Sequence, residues 1–398
     1  MYFTPILPID IKGNIDEELL SLAEEVCIRS AALGGNHNKI VLNSVKDLLR
    51  TTNSYYSNQI ESEGTHPLDI EKAMKQDFSN DDKKRNLQFL SIAYINTQKW
   101  LEVIATDIDN IFKKDFLLTI HNSFYTKDGM ETFLDIKSED SIIKMIPGTI
   151  RDHDVCVSKY VAPEYMELNS ILNAFENQYK SIYNPSTKAK KLLYVLSSHH
   201  RLAWIHPFLD GNGRVSRLFL DAAFLNVNIE GYGLWNISRG LARSNKDYRE
   251  YLRFGDMKQQ GSTDGKGPLS LRGLKYYLKF MLDISIDQIN FMNENLQLSS
   301  LANKIDKFIL LSNNGLLGIE AFPEASTIIL KELLIKGEMA RGEVKNIIQK
   351  SDRTATTLIK TLIEREYIES DTPKGAIRIK FNTTFASYLM PNLIPNKG

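Results

Sequence analysis

Cysteine, net charge and long apolar runs are what this chain has least of. Its two cysteines, Cys27 and Cys156, are too few for a disulfide framework or a thiolate metal site, so a reducing compartment is the default. Forty-nine basic residues balance forty-nine acidic ones, which removes any global field toward nucleic acid or anionic membrane and leaves local patches to argue from. Nothing reaches the ~18 uninterrupted apolar residues of a membrane span. Met1-Tyr2-Phe3-Thr4-Pro5 opens without the basic and apolar regions of a secretory leader. The expectation is a cytoplasmic protein with no membrane partner. No internal repeat or low-complexity tract interrupts the 398 residues, a length suited to two or three domains.

What is present is concentrated in one stretch, His206-Pro207-Phe208-Leu209-Asp210-Gly211-Asn212-Gly213-Arg214-Val215-Ser216-Arg217. Asp210-Gly211-Asn212-Gly213 is a turn and helix-start signal, because Gly tolerates close backbone approach and Asp or Asn caps free N–H groups. Val215, Leu218, Phe219 and Ala222 follow at helical spacing, which predicts a helix from about Gly211. Its N-terminus would offer unpaired N–H groups and the positive dipole end to an anion. Arg214 and Arg217, three apart, can reach one polyphosphate together. Asp210 sits at the mouth, where it could hold a divalent metal brought in by a nucleotide. His206 is the one group here whose ordinary pKa lets it accept a proton near neutrality. The stretch reads as a phosphate site with a base beside it.

All eight defined positions match the Fic signature, His-x-Phe-x-Asp/Glu-Gly-Asn-Gly-Arg-x-x-Arg, and the chain resembles that family over roughly residues 38 to 290. The resemblance implies transfer of AMP from ATP to a Ser, Thr or Tyr hydroxyl of a target protein, with ATP as substrate and Mg²⁺ as cofactor. His206 would then be the base and Asp210 the metal ligand. Arg214 and Arg217 would bind the β- and γ-phosphates, while Gly211, Asn212 and Gly213 hold the α/β-phosphates through backbone N–H groups and the Asn212 side chain. Phe208 would pack beneath the loop. Tyr248, with Tyr251 as second choice, resembles the tyrosine that lines the family's adenine pocket, although a tyrosine at helical spacing is also ordinary packing. Other members remove AMP or transfer a different phosphate-containing group, and that alternative stays open here.

Upstream, Ser57-Asn58-Gln59-Ile60-Glu61 resembles the family's inhibitory motif, Ser/Thr-x-x-x-Glu-Gly/Asn, with Ser62 where Gly or Asn is usual. Carried over, Glu61 would pair with Arg217 and keep the γ-phosphate out, with Ser57 on the same helix face. The region around residues 142–157 breaks the helical pattern and reads as two short strands around a turn, Ile142 to Arg151 and then Val155 to Val157. In the family this is a flap whose edge pairs with the target's main chain, which would place Gly148, Thr149, Ile150 and Arg151 against the target.

The remaining periodicity is helical. After an extended start through Pro8, helices are expected over Asp16 to Leu33, Asn38 to Ile60 or Glu61, and from the Asn80-Asp81-Asp82 cap onward. Further helices are expected over Phe116 to Phe124, Pro163 to Tyr179, Lys188 to Trp204 and Leu271 to Phe291. His121, His199 and His200 lack metal-ligand partners at usable spacing and read as structural or surface residues. From Glu324, three short helices precede strands at Tyr367-Ile368-Glu369 and Ala376 to Phe381, an order that resembles a winged helix-turn-helix domain. Twelve basic against nine acidic residues give this tail a net of +3, too mild to establish DNA binding. Arg353, Thr354, Thr357, Lys360 and Lys374 are the residues that would meet a duplex. A protein-interaction or dimer role is equally open.

The expected architecture is mainly α: an N-terminal helical region (1–105) with an inhibitory helix at about 38–62, and a Fic-type core (106–290) with a small β-hairpin flap. A connecting helix and linker (291–323) and a winged-helix domain (324–398) would follow. Outside the enzyme class, the same residues would suit a DNA-binding regulator that senses nucleotide. The target, the modified residue, the oligomeric state and the trigger that releases Glu61 are not written in the sequence.

Overall fold

A computed structural model of the chain describes residues 16–35, 37–137, 142–157 and 160–395, and the extended start expected through Pro8 lies outside them. Asp16 precedes the first helix, α1 (Glu17–Ala32), and Gly34 at φ 78° turns the chain toward α2 (Lys39–Ile60). The Asn38 side chain caps α2 by accepting from the Ile40 N–H, as its sequence position predicts. The first half of α2 buries Val41, Val45, Leu48 and Leu49. Its second half buries polar groups instead, among them Asn53, Ser54, Ser57 and Asn58. A helix with a buried polar face must find partners for it, since unpaired polar groups are costly to desolvate.

A short helix that sequence periodicity did not announce, α3 (Pro67–Met74), follows, with Pro67 in its first turn and the His66 ring accepting from the Leu68 N–H. Then comes α4 (Asp82–Ile104), capped by Asp81, and α5 (Lys114–Tyr125). The strand pairing expected between 142–151 and 155–157 is not formed. Instead β1 (Asp135–Lys137) pairs antiparallel with β2 (Ile142–Lys144), and β3 (Cys156–Val157) with β4 (Tyr160–Val161). Pro147 has no N–H to give a ladder and Gly148 takes φ 78°, so the chain leaves the strand before Arg151.

The centre of the molecule is α7 (Lys188–Ile205), packed against α1, α6 (Leu168–Tyr183) and α8 (Asn212–Asn226). From Leu192 to Leu202 every α7 residue is buried, so its sides all face other elements. Two short helices, α9 (Ile237–Arg243) and α10 (Asn245–Asp256), lead to α11 (Leu271–Asn295), which packs along α1 and α10 and continues past residue 290.

The remainder holds α12 (Leu298–Asn313), α13 (Ser326–Lys336), β5 (Glu338–Met339), α14 (Arg341–Ile348) and α15 (Asp352–Glu364), then β6 (Ile368–Glu369), β7 (Ile377–Ile379) and α16 (Thr383–Leu389). The strands form one antiparallel sheet in the order β5-β7-β6. Three helices and a hairpin thus stand where a winged-helix order was expected, with β5 and α16 as additions. This unit lies against the N-terminal helices. The Tyr56 hydroxyl donates to the Leu393 carbonyl at 3.0 Å, Asn38 Nδ2 to that of Lys336 at 2.8 Å, and the Thr383 N–H to the Glu71 carboxylate at 2.9 Å.

Candidate functional site

The site forms where α7 stops and α8 begins. His206 ends α7 in the left-handed region at φ 51°, its N–H still donating to the Leu202 carbonyl. Phe208 is buried and stacks on the His121 ring with centroids 4.0 Å apart. The Asn212 side chain closes the loop on itself, accepting from the Phe208 N–H at 2.9 Å and donating to the Phe208 carbonyl at 2.8 Å. Asn212 therefore shapes the signature loop through its amide, whose oxygen and one Nδ2–H are engaged by Phe208. Gly211 sits at φ 79°, and a Cβ there would lie 2.5 Å from the Tyr125 hydroxyl.

Both signature arginines are almost fully buried. Arg217, 2% exposed, donates through Nε to Ser57 Oγ (2.8 Å) and through Nη2 to the Ser57 carbonyl (3.0 Å) and Glu61 Oε1 (2.7 Å). The expected contact between Glu61 and Arg217 is thus present in the geometry. The same Glu61 oxygen lies where a Cβ on Gly213 would stand, 2.1 Å away, so the carboxylate abuts the first turn of α8. Ser62, which replaces the usual Gly or Asn, adopts φ 65°. It keeps the helix-end geometry at a cost of about 1 kcal/mol for a side chain in the left-handed region.

Arg214, 4% exposed, donates through Nη2 to Asp210 Oδ2 at 3.1 Å and to the Tyr125 hydroxyl at 3.4 Å, and through Nη1 to Glu63 Oε2 at 2.5 Å. Tyr125 in turn donates to Asp210 Oδ2 at 3.0 Å. Sequence reasoning found neither Glu63 nor Tyr125. The signal for Glu63 was available, since two buried guanidinium groups need two anions and Glu63 lies two residues beyond Glu61.

The titration of these groups follows from burial and pairing. Burial pushes the His206 imidazole down to about 4, with one ring nitrogen held by the Ala203 carbonyl, so near neutrality the ring is uncharged and able to accept a proton. Burial works against ionised Glu61, but the Arg217 guanidinium outweighs it and holds the carboxyl below its ordinary value. Arg214 is raised, since Tyr125, Asp210, Glu63 and Glu61 together outweigh its desolvation.

His121 accepts the Gly148 N–H on Nδ1 at 2.8 Å, so its Nε2–H faces the Asp210 carbonyl at 3.3 Å. Burial pushes it down to about 4. It is structural, as expected, but its place is directly under the loop. Arg151 is also engaged: its N–H donates to the Pro207 carbonyl, Nε to that of His206 (2.9 Å), Nη1 to His153 (2.7 Å) and Nη2 to Pro163 (2.5 Å). Of the expected flap residues, Arg151 therefore anchors the signature loop from inside, Gly148 ties to His121, and Thr149 and Ile150 keep partial or full exposure. Tyr248 lies in the core, its hydroxyl 2.9 Å from His199 Nε2, while Tyr251 stacks on Phe280 at 4.6 Å. His199 and His200 are both fully buried. Arg353, Thr354, Thr357, Lys360 and Lys374 are all exposed, far along the chain from this site.

No cluster of three or more metal-ligating side chains occurs among the described residues. Asp210 nonetheless suits a hard cation that arrives with phosphates. Its side chain is 41% exposed, Oδ2 takes both of the hydrogen bonds found for the carboxylate, and one carboxylate plus substrate phosphates is a usual Mg²⁺ ligand set.

Residues 112–224, which contain the whole site except the α2 segment and Tyr248, match the family model described as Fic/DOC family. Protein adenylyltransferase Fic of Drosophila willistoni is 35% identical over 80 residues, 20% of this chain and 16% of that protein. The protein of the same name from Nematostella vectensis is 35% identical over 109 residues, 26% of this chain and 23% of that one. The matched stretches are thus less than a quarter of those relatives' lengths. Among solved structures, a Fic family protein from Desulfovibrio desulfuricans G20 aligns over 94% of this chain and 98% of its own with a TM-score of 0.52 at 14% identity, a likeness of fold. Fic-1 (aa134–508) from C. elegans covers 70% of this chain and 71% of its own, with a TM-score of 0.50 at 15% identity. No described helix is long and apolar enough to cross a membrane.

Proposed function

We propose that this chain, whose residues 112–224 match the Fic/DOC family model, transfers AMP from ATP to a hydroxyl of a target protein and is held at rest by Glu61. The single observation that carries the reading is the Glu61 carboxylate on Arg217 at the first turn of α8, an anion placed where a helix N-terminus and an arginine would otherwise meet a phosphate. In the reaction, a target hydroxyl attacks the α-phosphorus, the bond to the β-phosphate oxygen breaks, and pyrophosphate leaves. Neutral His206 takes the hydroxyl proton on the ring nitrogen not held by Ala203. Arg214 and Arg217 hold the departing phosphates, and the Asn212 brace with Arg151 and His121 keeps the loop in register. Mg²⁺ on Asp210 would neutralise phosphate charge when bound. Ile142, Ile146 and Val161 are exposed apolar residues along the hairpins beside this loop, a surface suited to part of the target.

The test is covalent labelling in a cell lysate with Mg²⁺ and ATP labelled at the α- or the γ-phosphate. Glu61→Gly is expected to raise α-label in proteins at least about tenfold over the unaltered chain, with no γ-label. Adding His206→Ala is expected to lower it by about 10² to 10⁴-fold, the range for loss of a positioned base. Label from the γ-phosphate would make the chain a kinase. No label from either, with a duplex DNA band shift that responds to ATP, would replace the enzyme by a nucleotide-sensing regulator acting through the exposed Arg353 and Lys360 face.

A further inference from the structure

The geometry points to a second carboxylate governing the nucleotide site: we infer that Glu63 occupies Arg214 as Glu61 occupies Arg217, so both acids must leave before a triphosphate can seat. This rests on the reading that the arginines bind ATP phosphates, and it changes what the resting state excludes. With Glu61 alone, only the Arg217 position is closed and a nucleotide could still engage Arg214. With both acids in place, no arginine of the signature is available.

The placement of Glu63 is built rather than incidental. At the end of α2 the Ser62 N–H donates to the Gln59 carbonyl and the Glu63 N–H reaches back to the Asn58 carbonyl at 2.9 Å, with Ser62 left-handed between them. That is a Schellman closure, and it fixes Glu63, two residues past the C-cap Glu61, against the last helical turn. From α10, Arg249 Nη2 donates to the Ile60 carbonyl at 3.0 Å, pinning the same turn from the other side. Two carboxylates two residues apart on a fixed turn thus meet two guanidinium groups three residues apart on a helix. Arg214 Nε–H, buried, has no acceptor among the described residues, so Glu63 satisfies this guanidinium only in part and a phosphate could bond it more fully. The Glu63 side chain is 38% exposed, which makes its hold weaker than a fully buried pair and displaceable by a polyanion.

The experiment measures Mg²⁺-ATP binding by calorimetry and α-phosphate labelling separately, on the full chain, in four forms: unaltered, Glu63→Gln, Glu61→Gly, and Glu61→Gly with Glu63→Gln. Gln keeps the shape and the backbone closure while removing the charge. ATP affinity is expected to rise about three- to tenfold on Glu63→Gln in the Glu61→Gly background, and the apparent KM for ATP to fall by the same factor with kcat little changed. This follows from freeing a ground-state phosphate contact. Unchanged affinity and KM would overturn the assignment and leave Glu63 as a helix-end residue. Tighter ATP binding without label in any form would retain Glu63 and sink the transferase reading. Absence of ATP binding in all four would sink both.

Discussion

Buried histidines give individual residues of this protein a measurable voice in its stability. His121 and His199 are fully buried and held down to about 4 and about 3 by desolvation, and His200 is lowered for the same reason. In the unfolded chain all would titrate near 6.5. A depressed folded value means the stabilisation is complete above pH 6.5 and is lost as pH falls from there to about 4, because the unfolded state binds the extra protons. His121 and His199 each contribute roughly 1–3 kcal/mol as pH falls, since every pH step between the unfolded and folded titrations is worth about 1.4 kcal/mol before local relaxation reduces it, and His200 acts in the same direction. Asp221 opposes this, since burial raises it to about 6 and the folded state gains its proton first, but it is one group against several. The thermal midpoint is expected to fall continuously from pH 6.5 to 4.5. A flat profile would show that these imidazoles are not held neutral.

At the scale of elements, the proposed brake would rest on the buried polar half of α2. Asn53 donates to Gln98 Oε1 at 3.2 Å and to Asp221 Oδ2 at 3.1 Å, and Asp221 stands one turn past Arg217 on α8. Asn53→Leu removes both donors and strands part of the Asp221 carboxylate, which should cost about 1–3 kcal/mol in urea denaturation. It should also raise resting α-label, because the helix that carries Glu61 then holds α8 less well; lost stability with unchanged label would detach Asn53 from the brake. Both ends of α1, α2 and α7 and the start of α4 were legible in the sequence to within a residue or two, because apolar stripes and the caps Asn38 and Asp81 are local signals. The hairpins were not. Which strand Ile142 pairs with is decided by a partner at Asp135, and nothing local says so. The signature singled out the residues proposed to meet phosphate, whereas the use of Asn212 inside the loop, Arg151 beneath it and Glu63 on Arg214 depends on contacts 4 to 151 positions apart.

Taken as a whole molecule, the helix proposed as the brake packs against two bodies, α8 and the C-terminal unit. The segment after α16 reaches back across the chain: Leu393 and Ile394 are buried, the Leu393 carbonyl accepts from Tyr56, the Asn392 carbonyl from Arg239 Nε at 3.0 Å, and the Pro395 carbonyl lies 3.0 Å from His66 Nε2. Tyr56 immediately precedes Ser57, so this segment holds the helix next to the residue that grips Arg217. Withdrawing Glu61 by moving α2 therefore means disturbing the C-terminal contact as well. Leu393→Ala should cost about 2–4 kcal/mol of stability by opening a cavity against α2. If the two bodies share the helix, it should also raise α-label in the otherwise unaltered chain, yet add little once Glu61 is already Gly, since a removed brake cannot be loosened further. Equal increments in both backgrounds would mean that the C-terminal segment acts on the reaction by some other route, and no increment in either would leave it a purely structural strap.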